Sequence, residues 1–300
     1  MKALKKSLIY SACCAAFFSS AAIYADDDDE EDLPLSEAQL FFELNDTDGD
    51  LGIHGKADGD AWKRLRIESP NDRVLLDIKV KSRLKKQGLT ELFFESAEPT
   101  FDELDPDKFF RRFPEGEYEI EAITLDGEEL EGEVMLSHVI PAAPDGLMLS
   151  YAVDCDDDEE ADDEGECEES EEVPPAEFER DDEGNSELVC MELEGVSEPE
   201  VTLSWEPVTM SHKEKGTTAP HGHYLGKAGE VNVHHYEVVI ETETEDELEV
   251  VSSTLLPPDI TSFEFPEEIM ELSDEFKFEI LIRDVNGNQS ATEACFEIDD

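Results

Sequence analysis

Five aspartates, Asp46, Asp48, Asp50, Asp58 and Asp60, crowd the stretch NDTDGDLGIHGKADGD. Calcium takes six to eight oxygen ligands, and carboxylates at alternate positions of a turn supply three of them. The helix–loop–helix calcium motif needs glycine at its sixth place and glutamate at its twelfth. Counting from Asp46, Leu51 and Ala57 stand there, so the stretch is not that motif. What remains is an interstrand calcium site, weighed against solvated turn residues in a chain with 81 acids. Histidines cluster too, at His212, His221, His223, His234 and His235. His221-x-His223 could chelate a transition metal through neutral imidazoles; the alternative is exposed loop histidines. No nucleophile elbow, HExxH helix or phosphate-cradling glycine loop occurs, so the reading is a non-enzyme without catalytic residues. The expectation is therefore no cofactor, with calcium as the alternative.

Charge narrows the function further. With 22 basic and 81 acidic residues the formal net charge is −59. Nucleic-acid binders need a basic footprint, which excludes that class. One stretch runs against the trend. Residues 63–86 hold nine basic residues and three acids. Strand alternation sends Arg64 and Arg66 to one face of a first strand and Lys79, Lys81 and Arg83 to one face of a second. A hairpin turn at Ser69–Asp72 would merge them into one anion-binding patch. Its partner is either an acidic run of the same chain or an anionic envelope component.

The first 25 residues read as a secretory leader. Lys2, Lys5 and Lys6 precede an apolar stretch of small residues that ends at Ala25, before a run of acids. The expected location is secreted, periplasmic or at the cell surface, with no membrane span after cleavage. Four cysteines then remain, Cys155, Cys167, Cys190 and Cys295. An even number in an exported chain fits two disulfides, and spacing does not decide among the three connectivities. If Cys155 and Cys167 clip the acidic loop between them, Cys190 is left with Cys295.

These residues need a scaffold, and the patterning is that of strands. Residues 26–35 read as an acidic start, expected to be disordered. Over 36–144, short alternating runs such as WKRLRIE, VLLDIKVK and EYEIEAIT are separated by turn signals, which predicts a β-sandwich. Trp62 and Tyr118 are its expected core aromatics. FDELDPDKFFRRF has the one helical look, as a short turn interrupted by Pro106. Residues 145–195 read as an acidic linker or insertion. Within it, 19 of residues 154–185 are acidic, too polar to repay the entropy of ordering. Residues 196–300 alternate again, through EVTLSW, HYEVVIE, DITSFEFP and EFKFEILIRD.

That last order, with Asn286-Gly287-Asn288 as a turn, resembles a fibronectin type III domain. Trp205, Tyr236 and Phe276 or Phe278 fill the places of the family's core aromatics. The resemblance covers about residues 196–299, or starts near Pro141 if the acidic island is inserted after a first strand. The loop Thr209–Asn232 is longer than the family's. The N-terminal half is similar, more loosely, to the immunoglobulin-like class. The expected fold is therefore all-β, two such sandwiches with a disordered acidic insertion. The resemblance implies an exported, non-enzymatic binding, adhesion or structural module for a protein or glycan ligand. The alternatives are a calcium-dependent structural or carbohydrate-associated protein, and an accessory chain of an exported enzyme.

Overall fold

Strand alternation carries through to the computed structural model, which describes residues 33–153, 170–174, 176–180, 186–194, 196–217, 222–244 and 246–299. The leader, the acidic start as far as Asp32, and Cys155 and Cys167 with most of the acidic island lie outside them. The described chain is all-β, with four short helices.

The first half contains β1 (Leu33–Pro34), β2 (Glu37–Asn45), β3 (Asp50–Glu68), β4 (Val74–Lys79), helix α1 (Ser82–Gln87), β5 (Leu89–Glu95), helix α2 (Pro106–Arg112), β6 (Gly116–Thr124) and β7 (Glu129–Leu136). The N–H groups of Thr47 and Asp48 donate to the Asn45 side chain, and Gly49 takes the left-handed conformation that closes the β2–β3 hairpin. β3 is the long member. Its first part pairs with β2 and β5, and its last part with β4 and β6. Register irregularities on both sides of Trp62 let one strand bend and serve both layers.

Leu40, Phe42 and Leu44 of β2, Leu51, Ile53, Trp62, Leu65 and Ile67 of β3, and Tyr118 and Ile120 of β6 bury into one core. Trp62 and Tyr118 are both fully buried, as the sequence predicts. The Tyr118 hydroxyl donates to the Pro114 carbonyl at 3.1 Å. Phe109 and Phe110 of α2 close the core. The Asp105 side chain caps this helix, and Pro106 stands at its start, where the missing N–H costs nothing. Proline therefore begins the helix instead of interrupting it.

The second half contains β8 (Asp145–Val153), β9 (Ser170–Val173), β10 (Ala176–Arg180), β11 (Ser186–Glu194), β12 (Val196–Glu206), helix α3 (His212–Lys215), β13 (Val233–Glu243), β14 (Glu249–Leu256), β15 (Ser262–Glu264), helix α4 (Glu267–Met270), β16 (Glu275–Asp284) and β17 (Gln289–Asp299). A four-stranded sheet, β15-β12-β8-β9, covers the β14-β13-β16-β17 part of the larger sheet. Trp205, Tyr236, Phe276 and Phe278 are buried between them, in the core positions the sequence assigns. Trp205 and Tyr236 meet edge to face, and the Val208 N–H donates to the Tyr236 hydroxyl at 3.0 Å.

The stretch 145–195 is not only a linker: β8 and β11 form its ends, and β9 and β10 lie within the acidic residues 154–185 for which the acid content predicts no order, held there by pairing with β8 and β11. β8 pairs with β12 and sends Leu149 and Tyr151 into the second core, so this half opens before the acidic island. The alternating run GLMLSYAV carries that signal. β11 pairs in parallel with β17, and the Cys190–Cys295 disulfide crosses that pairing.

The two halves share a sheet. β2 runs parallel to β17, with Glu43 opposite Gln289 and Leu44 opposite Ser290. Hydrogen bonding is thereby continuous through β1-β7-β6-β3-β2-β17-β16-β13-β14. Buried polar groups fasten the seam. The fully buried Asn288 side chain accepts from the Phe42 N–H and donates to the carbonyls of Ser137 and Val139. His212 Nδ1 accepts from the Leu225 N–H, so its neutral ring carries the proton on Nε2 and donates it to Asp46 at 2.8 Å. The long loop before β13 thus reaches back into the first half, with Leu225 in the first core.

Candidate functional site

Because β2 lies beside β17, the outer face of the shared sheet brings side chains of both halves together. A shallow depression of about 440 Å³ opens there, lined by β2, β3, β5, β16 and β17. At its centre the Arg283 guanidinium stacks over the Phe41 ring, 4.2 Å from the centroid. The same guanidinium donates to Gln289 Oε1 at 2.9 Å and Gln39 Oε1 at 2.6 Å. Burial pulls its pKa down despite the surrounding acids. Phe93 of β5 borders the depression with more than half its surface exposed. Lys56 pairs with Glu37 at 2.8 Å and Glu91 at 3.3 Å along the rim.

His54 forms the depression's inner wall. It is buried beside Phe41, with Nε2 2.8 Å from Glu98 Oε1 and Nδ1 3.7 Å from Glu43 Oε2. Burial alone would lower its pKa, but the Glu98 hydrogen bond and the charges of Glu43, Glu98 and Glu95 raise it on balance. Burial pushes the Glu43 carboxyl up. Asp50, at the start of β3, is pushed up to about 7 by burial and by repulsion from Glu98, Asp48 and Glu293. Farther along the same face, burial and the neighbouring Glu293 push Glu279 of β16 up to about 8.

The five aspartates do not converge. Asp46 is buried and accepts from His212 and Thr217. Asp48 and Asp50 flank Gly49 at the hairpin turn, whereas Asp58 pairs with Glu37 at the other end of β3's run beside β2. Eight residues of strand separate Asp50 from Asp58, about 27 Å at 3.4 Å per residue. Asp60 follows Asp58 farther along β3. Among the histidines, His223 packs on the Phe101 ring, and His234 and His235 are neighbours on β13. His221 lies outside the described residues.

The basic stretch splits in two. Ser69–Asp72 does turn the chain, and Arg64 faces Lys79 across β3 and β4. Arg64 forms a bidentate pair with Asp77, Lys79 lies 3.6 Å from the same carboxylate, and Arg66 pairs with Glu68. Arg66 also faces Glu121 of β6. The expected strand face ends there. Lys81 precedes α1 and Arg83 lies on it, because β4 stops at Lys79. Every residue of α1 is exposed.

Sequence reasoning did not single out Glu43, His54, Glu98, Phe41, Phe93 or Arg283. A signal was present in QLFFELN, where Phe41 and Glu43 alternate with the core residues Leu40, Phe42 and Leu44. An aromatic on the polar face of a strand marks a surface with something to cover.

No protein-family model matches the chain, and no curated protein matches it. Solved structures that align with it include the first to third fibronectin domains of chicken CNTN1, at 7% identity and TM-score 0.28, over 89% of this chain and 69% of that one. A tetra-tandem repeat from the extending region of a large adhesion protein aligns at 11% identity and TM-score 0.18, over 88% of this chain and 74% of that one. The BSP domain of a biofilm-associated protein aligns at 11% identity and TM-score 0.23, over 89% of this chain and 30% of that one.

Proposed function

We propose that this chain is an exported, non-enzymatic binding module, secreted, periplasmic or on the cell surface, that presents the outer face of its shared sheet to a glycan. The observation that carries the reading is the depression at the β2–β17 seam. An open aromatic face at Phe93 stands beside amide and charged groups, Gln39, Gln289, Glu37 and Lys56. Sugars present apolar C–H faces and hydroxyl pairs, which such a mixture of ring, amide and carboxylate matches. The scaffold suits the task. Binding residues rest on paired strands, whose backbone hydrogen bonds hold them at fixed spacing.

A glycan array in metal-free buffer tests this with wild type and Phe93→Ala. Phe93 is exposed, so its removal leaves the core packing in place. Selective glycan binding that Phe93→Ala weakens by tenfold or more supports the reading. An array without a binder, or one whose binders are indifferent to Phe93, overturns it.

A further inference from the structure

Beside the depression, β2, β3 and the segment after β5 bring three metal-ligating side chains together. Glu43, His54 and Glu98 each offer one ligand atom, and these atoms lie within 4.8 Å of one another. We propose that this cluster binds a divalent transition-metal ion of the zinc class. The inference does not rest on a glycan, although Glu43 and His54 also line the depression.

Three features argue for an ion. First, the donor set has the right chemistry. One imidazole with two carboxylates is a nitrogen–oxygen set that suits zinc, with bonds of about 2.0–2.2 Å. Tetrahedral ligand atoms at that radius stand roughly 3.3 Å apart. An ion at His54 Nε2 opens the 2.8 Å contact with Glu98 by only about half an ångström, and Glu43, now 3.7 Å from Nδ1 on the other side of the ring, has to swing round to complete the set.

Second, the backbone makes room for the third ligand. Glu98 folds back over Gly52 of β3, directly across from Glu43. A Cβ at position 52 would stand 2.0 Å from Glu98 Oε1, so no other residue leaves that carboxylate in place. The returning segment is held on both sides. The Ile53 N–H donates to the Ser96 hydroxyl at 3.0 Å, and Thr100 bridges to Asp50.

Third, the site is closed on one side and open on another. His54 is 5% exposed and packed against Phe41 and Phe93, which restricts its ring. Glu43 and His54 also line the depression, so an ion held by three protein ligands keeps a position open for water. Glu95, opposite His54 on β5, adds a further carboxylate nearby. Three carboxylates, Glu43, Glu95 and Glu98, thus stand around one histidine, an excess of oxygen donors that a dication would offset.

A net charge of −59 attracts any cation loosely, so the test has to separate a site from an ion atmosphere. The full chain is titrated with Co²⁺ and then Zn²⁺ in 0.15 M salt containing millimolar calcium and magnesium. Four-coordinate cobalt bound by nitrogen and oxygen donors gives an intense visible band, far stronger than that of the hydrated ion in an ion atmosphere. The expected result is one saturable site per chain whose band zinc displaces. His54→Gln, Glu98→Gln and Gly52→Ala should each weaken it at least tenfold, while far-ultraviolet circular dichroism in chelator confirms each fold. Glu119→Gln, at an exposed position of β6, and His223→Ala should leave it unchanged. A band lost with His223→Ala and kept in His54→Gln would assign the ion to the histidine loop and overturn the proposal. Binding without a band, or equal competition by calcium, would reduce it to a charge atmosphere and overturn it as well.

Discussion

Replacing Glu279 by glutamine should stabilise the protein, and increasingly so as pH rises. Glu279 points outward from β16 into a small recess lined by Val239, Glu241, Lys277 and Glu293. Glu293 stands directly across from it on β17, and Val239 directly across on β13. Like charges opposite one another destabilise a sheet. The lysine lining the recess, Lys277, is committed to Glu293 at 2.9 Å. Burial and the charges of Glu293 and Glu43 therefore push the Glu279 carboxyl up to about 8, from 4.5 for an ordinary glutamate. Between those values the folded chain holds a proton that the unfolded chain has released. Stability must fall as pH rises through that window and level off above it.

The full displacement corresponds to a ceiling of about 5 kcal/mol at 1.36 kcal/mol per tenfold. Partial exposure and solvent screening remove most of that, leaving about 1–2 kcal/mol. For a chain of this size that is about 2–6 °C in melting temperature. Thermal melts of wild type and Glu279→Gln, followed by circular dichroism from pH 5 to pH 9, check the outcome. The curves should coincide near pH 5 and diverge until Glu279→Gln melts higher at pH 9. Parallel curves, or a variant that melts lower at pH 9, would refute the reasoning.

Two further outcomes follow from the seam and the disulfide. Asn288→Ala strands the buried Phe42 N–H and the carbonyls of Ser137 and Val139, which should cost about 2–4 kcal/mol in urea unfolding. Because Asn288 ties the halves, Trp62 and Trp205 fluorescence should report one shared shift of the midpoint; loss confined to one tryptophan would contradict that coupling. The Cys190→Ser/Cys295→Ser double variant opens a closed loop with a sequence separation of 105, and should lose about 3–5 kcal/mol in the same assay. An unchanged midpoint would mean that β11 and β17 are held by their pairing alone.

Local period made much of this protein legible. EYEIEAIT could only hide Tyr118, Ile120 and Ala122 on one side of a strand, and EFKFEILIRD could only hide Phe276, Phe278, Ile280 and Ile282. All-β character, the core aromatics and the charge imbalance follow from residues read in order, because side chains two apart share a face whatever the rest of the chain does. The split of the basic stretch was less legible, since SRLKKQ alternates poorly and only the end of β4 at Lys79 decides that α1 begins.

Neighbours distant in sequence were a matter for the tertiary structure. Glu43, His54 and Glu98 come from two strands and a returning segment, and nothing in their spacing says that Gly52 leaves room for the third. Arg283 reaches Phe41 only because β17 docks parallel to β2, a pairing between segments more than 240 residues apart. Composition and period are properties of neighbouring residues. Which edge meets which depends on the buried polar groups of the seam, Asn288, His212 and Asp46, whose partners become visible only once the chain has closed on itself.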